Sequence, residues 1–172
     1  GLAREKGAFP LYDWEGLSRS KFIQSLPRSL KDKIAQHGLR NATLITMPPV
    51  GTGSIVAQTS SGIEPIFCTS YKRRVKQADG QTFADYKVYH PMIKERFGGD
   101  EQFPDYVVTA HQIDPYSRIR MQSVIQRYTD SSISSTINLA RDTTLETVAD
   151  IYITAHREGL KGVTVYREGS RE

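Results

Sequence analysis

The sequence predicts an α/β domain, and three observations carry that reading. Strand-like and helix-like stretches alternate near the end of the chain: residues 133–139, a helix opening at Thr143-Thr144-Leu145-Glu146, then residues 162–167. Strand, helix and strand in that order ask for parallel pairing through a crossover. Glycine and proline fall between the periodic stretches, at Gly38, Pro48-Pro49, Gly98-Gly99 and Gly159, where breakers belong. The 172 residues, 38% apolar with 13 glycines, suffice for one domain with a real core.

Taken in order, residues 1–28 begin as a helical start of mixed charge, pass through Gly7-Ala8-Phe9-Pro10 and Trp14, and stop at Pro27. Ser29 followed by Asp32 reads as a capping box, with Leu30 and Ile34 on one helical face and Gly38 just past the end. Residues 41–46 are an apolar strand candidate, followed by a tight Pro/Gly turn and a short helix over residues 53–59. Residues 66–76 read as a strand, Ala78-Asp79-Gly80-Gln81 as a hairpin turn, and residues 82–89 as the return strand. Pro91 suits the first position of a helix that ends near Gly98-Gly99. Residues 100–104 form a polar loop, and Val107-Val108 fits a short helix and a short strand equally well.

The most regular helical pattern follows Asp114-Pro115. Ser117 is its expected N-cap, and Met121, Val124, Ile125 and Tyr128 share one face at i, i+3, i+4, i+7. The next strand, 133–139, carries Ser and Thr at alternate positions. The second capping box turns Leu145, Val148, Ala149 and Tyr152 inward, and Gly159 ends that helix. The chain contains no internal repeat and no low-complexity linker.

Composition excludes several classes. A net charge of +4 is compatible with an anionic ligand but too small to imply nucleic acid. Basic residues cluster only at Lys72-Arg73-Arg74-Val75-Lys76, which reads as a solvated strand end. Cys68, the single cysteine, excludes an internal disulfide and a multi-cysteine metal site, and its apolar strand context makes it an inert thiol. The four histidines, His37, His90, His111 and His156, lack metal-ligand spacing. No apolar run has membrane-spanning length. The first residues, Gly-Leu-Ala-Arg-Glu-Lys-Gly, carry no initiating Met and no signal-peptide character. They are expected to lie inside a longer, cytoplasmic polypeptide.

The candidate site is Pro49-Val50-Gly51-Thr52-Gly53-Ser54. A helix N-terminus offers free N–H groups and a partial positive charge, which suit a phosphate. Gly51 and Gly53 allow close approach, while Thr52 and Ser54 add hydroxyl donors. The turn has no P-loop Gly-Lys-Ser/Thr ending, no dinucleotide glycine spacing, and no GxSxG elbow accompanies it. On residue chemistry alone, an anion cradle and an ordinary glycine-bearing connection both remain open. Glu64 before Pro65 reads as a general base or, more simply, a turn-fixing carboxylate. Tyr71, Tyr86, Tyr89 and Tyr106 read as core-edge residues and His111 as a satisfied buried histidine.

Several motifs in fixed order say more than their chemistry. Residues 41–65, with the turn above and Ser60-Ser61-Gly62-Ile63-Glu64-Pro65, resemble the large catalytic subunit of ribonucleotide reductases. The adenosylcobalamin-dependent class is the most similar. Residues 66–75, Arg120-Met121-Gln122, Thr136-Ile137-Asn138-Leu139 and Gly162-Val163-Thr164-Val165-Tyr166-Arg167 keep the same register over essentially the whole chain.

The resemblance implies that residues 1–172 are a C-terminal segment of a ten-stranded α/β barrel, holding only its later strands and helices. It assigns substrate phosphate binding to Pro49, Val50, Gly51, Thr52 and Gly53, with Ser54 adjacent. Two positions depart from the family pattern. Gly53 replaces a larger apolar residue, and Val50 replaces a hydroxyl residue, leaving only its backbone N–H for that contact. The family's reaction needs at least three cysteines and an Asn-x-Cys-x-Glu motif, so neither Cys68 nor Glu64 takes a catalytic role here. The radical chemistry is expected upstream of Gly1, and the isolated segment is expected to be inactive. A ribonucleoside di- or triphosphate, adenosylcobalamin, the rest of the catalytic subunit and a dimeric parent are the implied partners. The alternatives are a reductase of another radical class and a non-catalytic phosphate-binding module.

Overall fold

The computed structural model describes residues 1–78, 80–99 and 102–170. Helices α1 (Leu2–Lys6), α2 (Trp14–Leu17), α3 (Lys21–Ser25), α4 (Arg28–His37) and α5 (Gly51–Val56) come first. The β1 (Ser70–Lys76) and β2 (Phe83–Tyr89) hairpin follows, then α6 (Pro91–Phe97), α7 (Pro115–Gln126), β3 (Thr136–Leu139), α8 (Leu145–Arg157) and β4 (Thr164–Arg167). β1 and β2 pair antiparallel, and β3 and β4 pair parallel across α8. A parallel bridge from Met47 to Ile133 brings the chain entering α5 alongside the segment leading into β3. The architecture is therefore mixed α/β with the expected parallel crossover, and no closed barrel exists among the described residues. No helix among them is long and apolar enough to cross a membrane.

The core lies in the β3–α8–β4 unit. Ile119, Ile137, Leu139, Ile151 and Ala155 form one buried cluster, edged by Tyr116, Val148, Leu160, Val163 and Val165. α8 contributes Val148, Ile151 and Ala155, spaced i, i+3, i+7, so one helical stripe faces the sheet. Burying each isoleucine stabilises the unit by roughly 2–3 kcal/mol. Along β3 the alternation is strict: Ile133, Ser135, Ile137 and Leu139 turn inward, while Ser134, Thr136 and Asn138 face the opposite side.

The first turn of α8 differs from the expected Thr143–Glu146 box. Thr144 is the cap, accepting the Thr147 N–H at 3.2 Å, and this phase leaves Leu145, Ala149 and Tyr152 exposed. α7 differs more. Asp114, not Ser117, caps it by accepting the Ser117 N–H at 2.7 Å, with Pro115 in the first turn. The expected apolar face points outward: Met121 is 39% exposed, Val124 54% and Tyr128 74%. The buried face is Arg118, Ile119, Gln122, Ser123 and Gln126.

Backbone carbonyls around α7 explain the inversion, because buried acceptors need donors. Gln122 donates to the Gly162 carbonyl at 2.8 Å, and Ser123 to that of Glu158 at 2.9 Å. Gln126 donates to the carbonyls of Thr129 and Ser131, both at 2.9 Å. These polar side chains stitch α7 to the loops on either side of the sheet, a role that the apolar stripe cannot fill.

Other boundaries also moved. Residues 41–46 do not form a strand; a single parallel bridge at Met47 takes its place. The Asp130 carboxylate takes the Leu44 N–H, and Ser131 and Ser134 donate to the carbonyls of Ile45 and Met47. α5 starts at Gly51, two residues earlier than expected, and ends at Val56, where Gln58 enters the left-handed region at φ 54°. β1 begins only at Ser70, and Val107-Val108 is neither helix nor strand. The Ser29 capping box does not form, because Pro27 occupies the cap position and Ser29 lies inside α4, where Ile34 is buried and Leu30 exposed. The hairpin and the Pro91 helix stand as expected; Asp79 of the hairpin turn and Asp100 and Glu101 of the polar loop lie outside the described residues.

Candidate functional site

A groove of about 850 Å³ opens between the chain around α5, the base of the β1–β2 hairpin and the outward face of β3. Pro48, Pro49, Ser54 and Ile55 form one rim. Tyr71, Val88, Tyr89 and His90 form the other, and Ser134, Thr136 and Asn138 form the floor. A smaller pocket of about 520 Å³, running along β4, shares Phe67, Thr136 and Asn138 with it.

Of the six predicted turn residues, Pro49 and Ser54 line the groove directly. Gly51 opens α5, and a Cβ added there would meet nothing within 4 Å, so the backbone is open to approach. By helix geometry the N–H groups of Gly51, Thr52 and Gly53 lack intrahelical acceptors. Thr52 is exposed, and its hydroxyl has no partner among the described residues. Two expected donors are already engaged. The Val50 N–H donates to Ser61 Oγ at 2.8 Å, and the Ser54 hydroxyl donates back to the Gly51 carbonyl at 2.7 Å. Two of the turn residues also meet in space, because a Cβ at Gly53 would lie 2.9 Å from Val50 Cγ1. The valine at position 50 thus requires the glycine at 53, or a shift of its own side chain.

Behind the turn sits the most heavily bonded polar cluster of the site. Glu64 Oε2 pairs with Arg118 Nη2 at 2.9 Å, and Glu64 Oε1 accepts the Thr136 N–H at 2.6 Å. Arg118 also donates to the Ile63 carbonyl at 2.9 Å and to Ser135 Oγ at 2.8 Å, while its Nε is buried without a partner. Burial pulls the Arg118 guanidinium below its ordinary value and the Glu64 charge pulls it back; an arginine stays protonated throughout. With both carboxylate oxygens committed to structural partners, Glu64 is the turn-fixing carboxylate and not a free base.

The remaining predicted residues divide. Cys68 is half-buried on the groove wall rather than sealed in the core. His90 also lines the groove, with Nδ1 buried and unpartnered. Of the four tyrosines expected at the core edge, only Tyr89 is half-buried; Tyr71, which lines the groove with it, and Tyr86 and Tyr106 are exposed. His111 is exposed too, edge-on to Phe67 at 4.9 Å, instead of buried. The Lys72–Lys76 run lies on β1, whose residues are mostly exposed. Sequence reasoning missed Arg118, because a charged residue in a helix reads as solvent-facing until its distant acceptors are known. Among the described residues, no cluster of three or more His, Cys, Asp or Glu is placed to hold a metal ion.

Residues 1–166 match the family described as the ribonucleotide reductase barrel domain. A vitamin B12-dependent ribonucleoside-diphosphate reductase of Mycobacterium tuberculosis (strain ATCC 25618 / H37Rv) is 33% identical over 189 residues, covering 99% of this chain and 24% of the relative. The enzyme of the same name from Thermoplasma acidophilum is 33% identical over 196 residues, covering 99% of this chain and 22% of its own length. The ribonucleoside-diphosphate reductase subunit alpha of Treponema pallidum is 27% identical over 177 residues, with 99% and 20% covered. The chain thus spans about a quarter or less of the length of these relatives.

Proposed function

This chain belongs to the ribonucleotide reductase barrel-domain family, and on that premise we propose that its 49–54 turn holds the phosphates of a ribonucleotide for reduction to a deoxyribonucleotide. One observation carries the reading. The N-terminal turn of α5 is open at Gly51 and Thr52 and stands at the rim of a nucleotide-sized groove. Three free N–H groups, one unpaired hydroxyl and the partial positive charge of a short helix supply what a diphosphate needs. Pro49 and Val50 shape the turn, and Gly51, Thr52 and Gly53 make the contacts; Ser54 braces it from inside through its bond to Gly51.

The two B12-dependent relatives support adenosylcobalamin as the cofactor of the whole enzyme and a diphosphate as its substrate. No residue of this chain is assigned to the cofactor. The parallel β3–α8–β4 unit and the Met47–Ile133 bridge fit successive strands of a barrel completed by the remainder of the catalytic subunit. That remainder supplies the radical cysteine, since Cys68 is alone in this chain and stands outside an Asn-x-Cys-x-Glu motif. A dimeric, cytoplasmic parent completes the proposal.

The test is a calorimetric titration of ADP into the longest natural polypeptide that contains this chain. Thr52→Val should weaken binding by about 1–2 kcal/mol, the loss of a hydroxyl bond to a charged oxygen. Gly51→Val should weaken it further by blocking approach to the backbone. Unchanged affinity in both variants would rule out the turn as the phosphate site.

A further inference from the structure

Apolar burial around the proposed phosphate turn is sparse. Gly51 is open, and Ile55 and Val56 on α5 are exposed. Beside the backbone bridge from Met47 to Ile133, a relay of hydrogen bonds holds the turn. The Val50 N–H donates to Ser61 Oγ, and the Glu64 N–H donates to the Ser61 carbonyl, both at 2.8 Å. Glu64 then grips the Thr136 N–H on the floor, while Arg118 takes Glu64, the Ile63 carbonyl and Ser135 together. Arg118 is rooted in the core: it is 5% exposed, lies one residue before Ile119 on α7, and donates to Ser135, itself buried beside β3.

We infer that Arg118 is a positioning residue, which sets the placement of the phosphate turn over β3 through Glu64 and Ser61; the inference rests on the phosphate reading above. Two features separate this role from simple stabilisation. A buried ion pair gives little net stability compared with apolar residues of the same size, so its worth lies in directional bonds. The planar fork matters as well. A lysine presents all its protons from one nitrogen and does not span the Ile63 carbonyl and Ser135 Oγ at once.

The experiment measures ADP affinity and thermal midpoint for the longest natural polypeptide containing this chain, and for Arg118→Lys, Ser61→Ala and Ile151→Val. Ile151→Val loosens the core away from the relay and serves as the stability control. Arg118→Lys should weaken ADP binding about tenfold and Ser61→Ala about threefold, in line with a lost charged and a lost neutral hydrogen bond. Ile151→Val should lower the midpoint while leaving affinity within about twofold. If Arg118→Lys does not fold, Ser61→Ala decides alone, because its side chain lies outside the core. Wild-type affinity in the relay variants, with a lowered midpoint, overturns this inference and leaves the phosphate reading standing. Absence of ADP binding in the unmodified protein overturns both.

Discussion

In the β3–α8–β4 unit, apolar side chains from two helices and two strands meet one another; around α5 and the β1–β2 hairpin they do not. The first region buries Ile119, Ile137 and Ile151 almost completely. The second leaves Ile55, Val56, Phe67, Tyr71 and Tyr86 exposed and relies on Val50–Ser61, Glu64–Arg118 and strand-ladder hydrogen bonds. A region held by dispersion and burial is stable in its own right. One held by directed polar bonds has a defined geometry with little stability of its own.

The contrast is open to direct attack. Ile151→Ala empties the centre of the packed region and should destabilise the chain by about 3–4 kcal/mol in urea denaturation, a large share of a domain's total. A loss below about 1 kcal/mol would mean that the packed region is not the source of stability. A smaller effect is expected at the entrance to α7. The Asp114 carboxyl is held below its ordinary value, first by the Ser117 N–H and also by Arg120, 3.7 Å away. Its contribution is therefore present above the unfolded carboxylate value near pH 4 and is lost as pH falls through the lower folded value. Asp114→Ala should cost about 1 kcal/mol at pH 7, with the gap to the parent closing in acid. The smallest stability change belongs to the open region. Replacing Ile55 and Val56 together with Ser should shift stability by no more than about 0.5 kcal/mol while reducing self-association in sedimentation velocity. Marked destabilisation there would show that α5 is packed more firmly than its exposure indicates.

The same contrast marks what was legible in the residues. The antiparallel pairing of β1 with β2, the Pro91 helix with its left-handed Gly98, and the β3–α8–β4 crossover rest on local breakers and short-range alternation, and their order and pairing are as expected. The faces of α7 and α8 do not. Met121, Val124 and Tyr128 have the spacing of a buried stripe, yet the carbonyls of Gly162, Glu158 and Ser131 draw the opposite, polar face inward. Periodicity identified the helix, but which side it buries depended on acceptors several elements away. At the candidate site, the open Gly51 and Thr52 were readable as a turn with donors. The engagement of Val50 by Ser61 and of Glu64 by Arg118 was not, because the partners lie 11 and 54 residues away.

By itself, then, the chain's order of breakers and alternating residues determined the α/β class, the parallel crossover and the place of the 49–54 turn before a short helix. These are set by backbone sterics and hydrogen bonding within a few residues. Tertiary structure alone decided which helix faces are buried, which donors in the turn remain free, and that Arg118 anchors the groove. Each of those depends on where distant donors and acceptors meet once the chain is closed on itself.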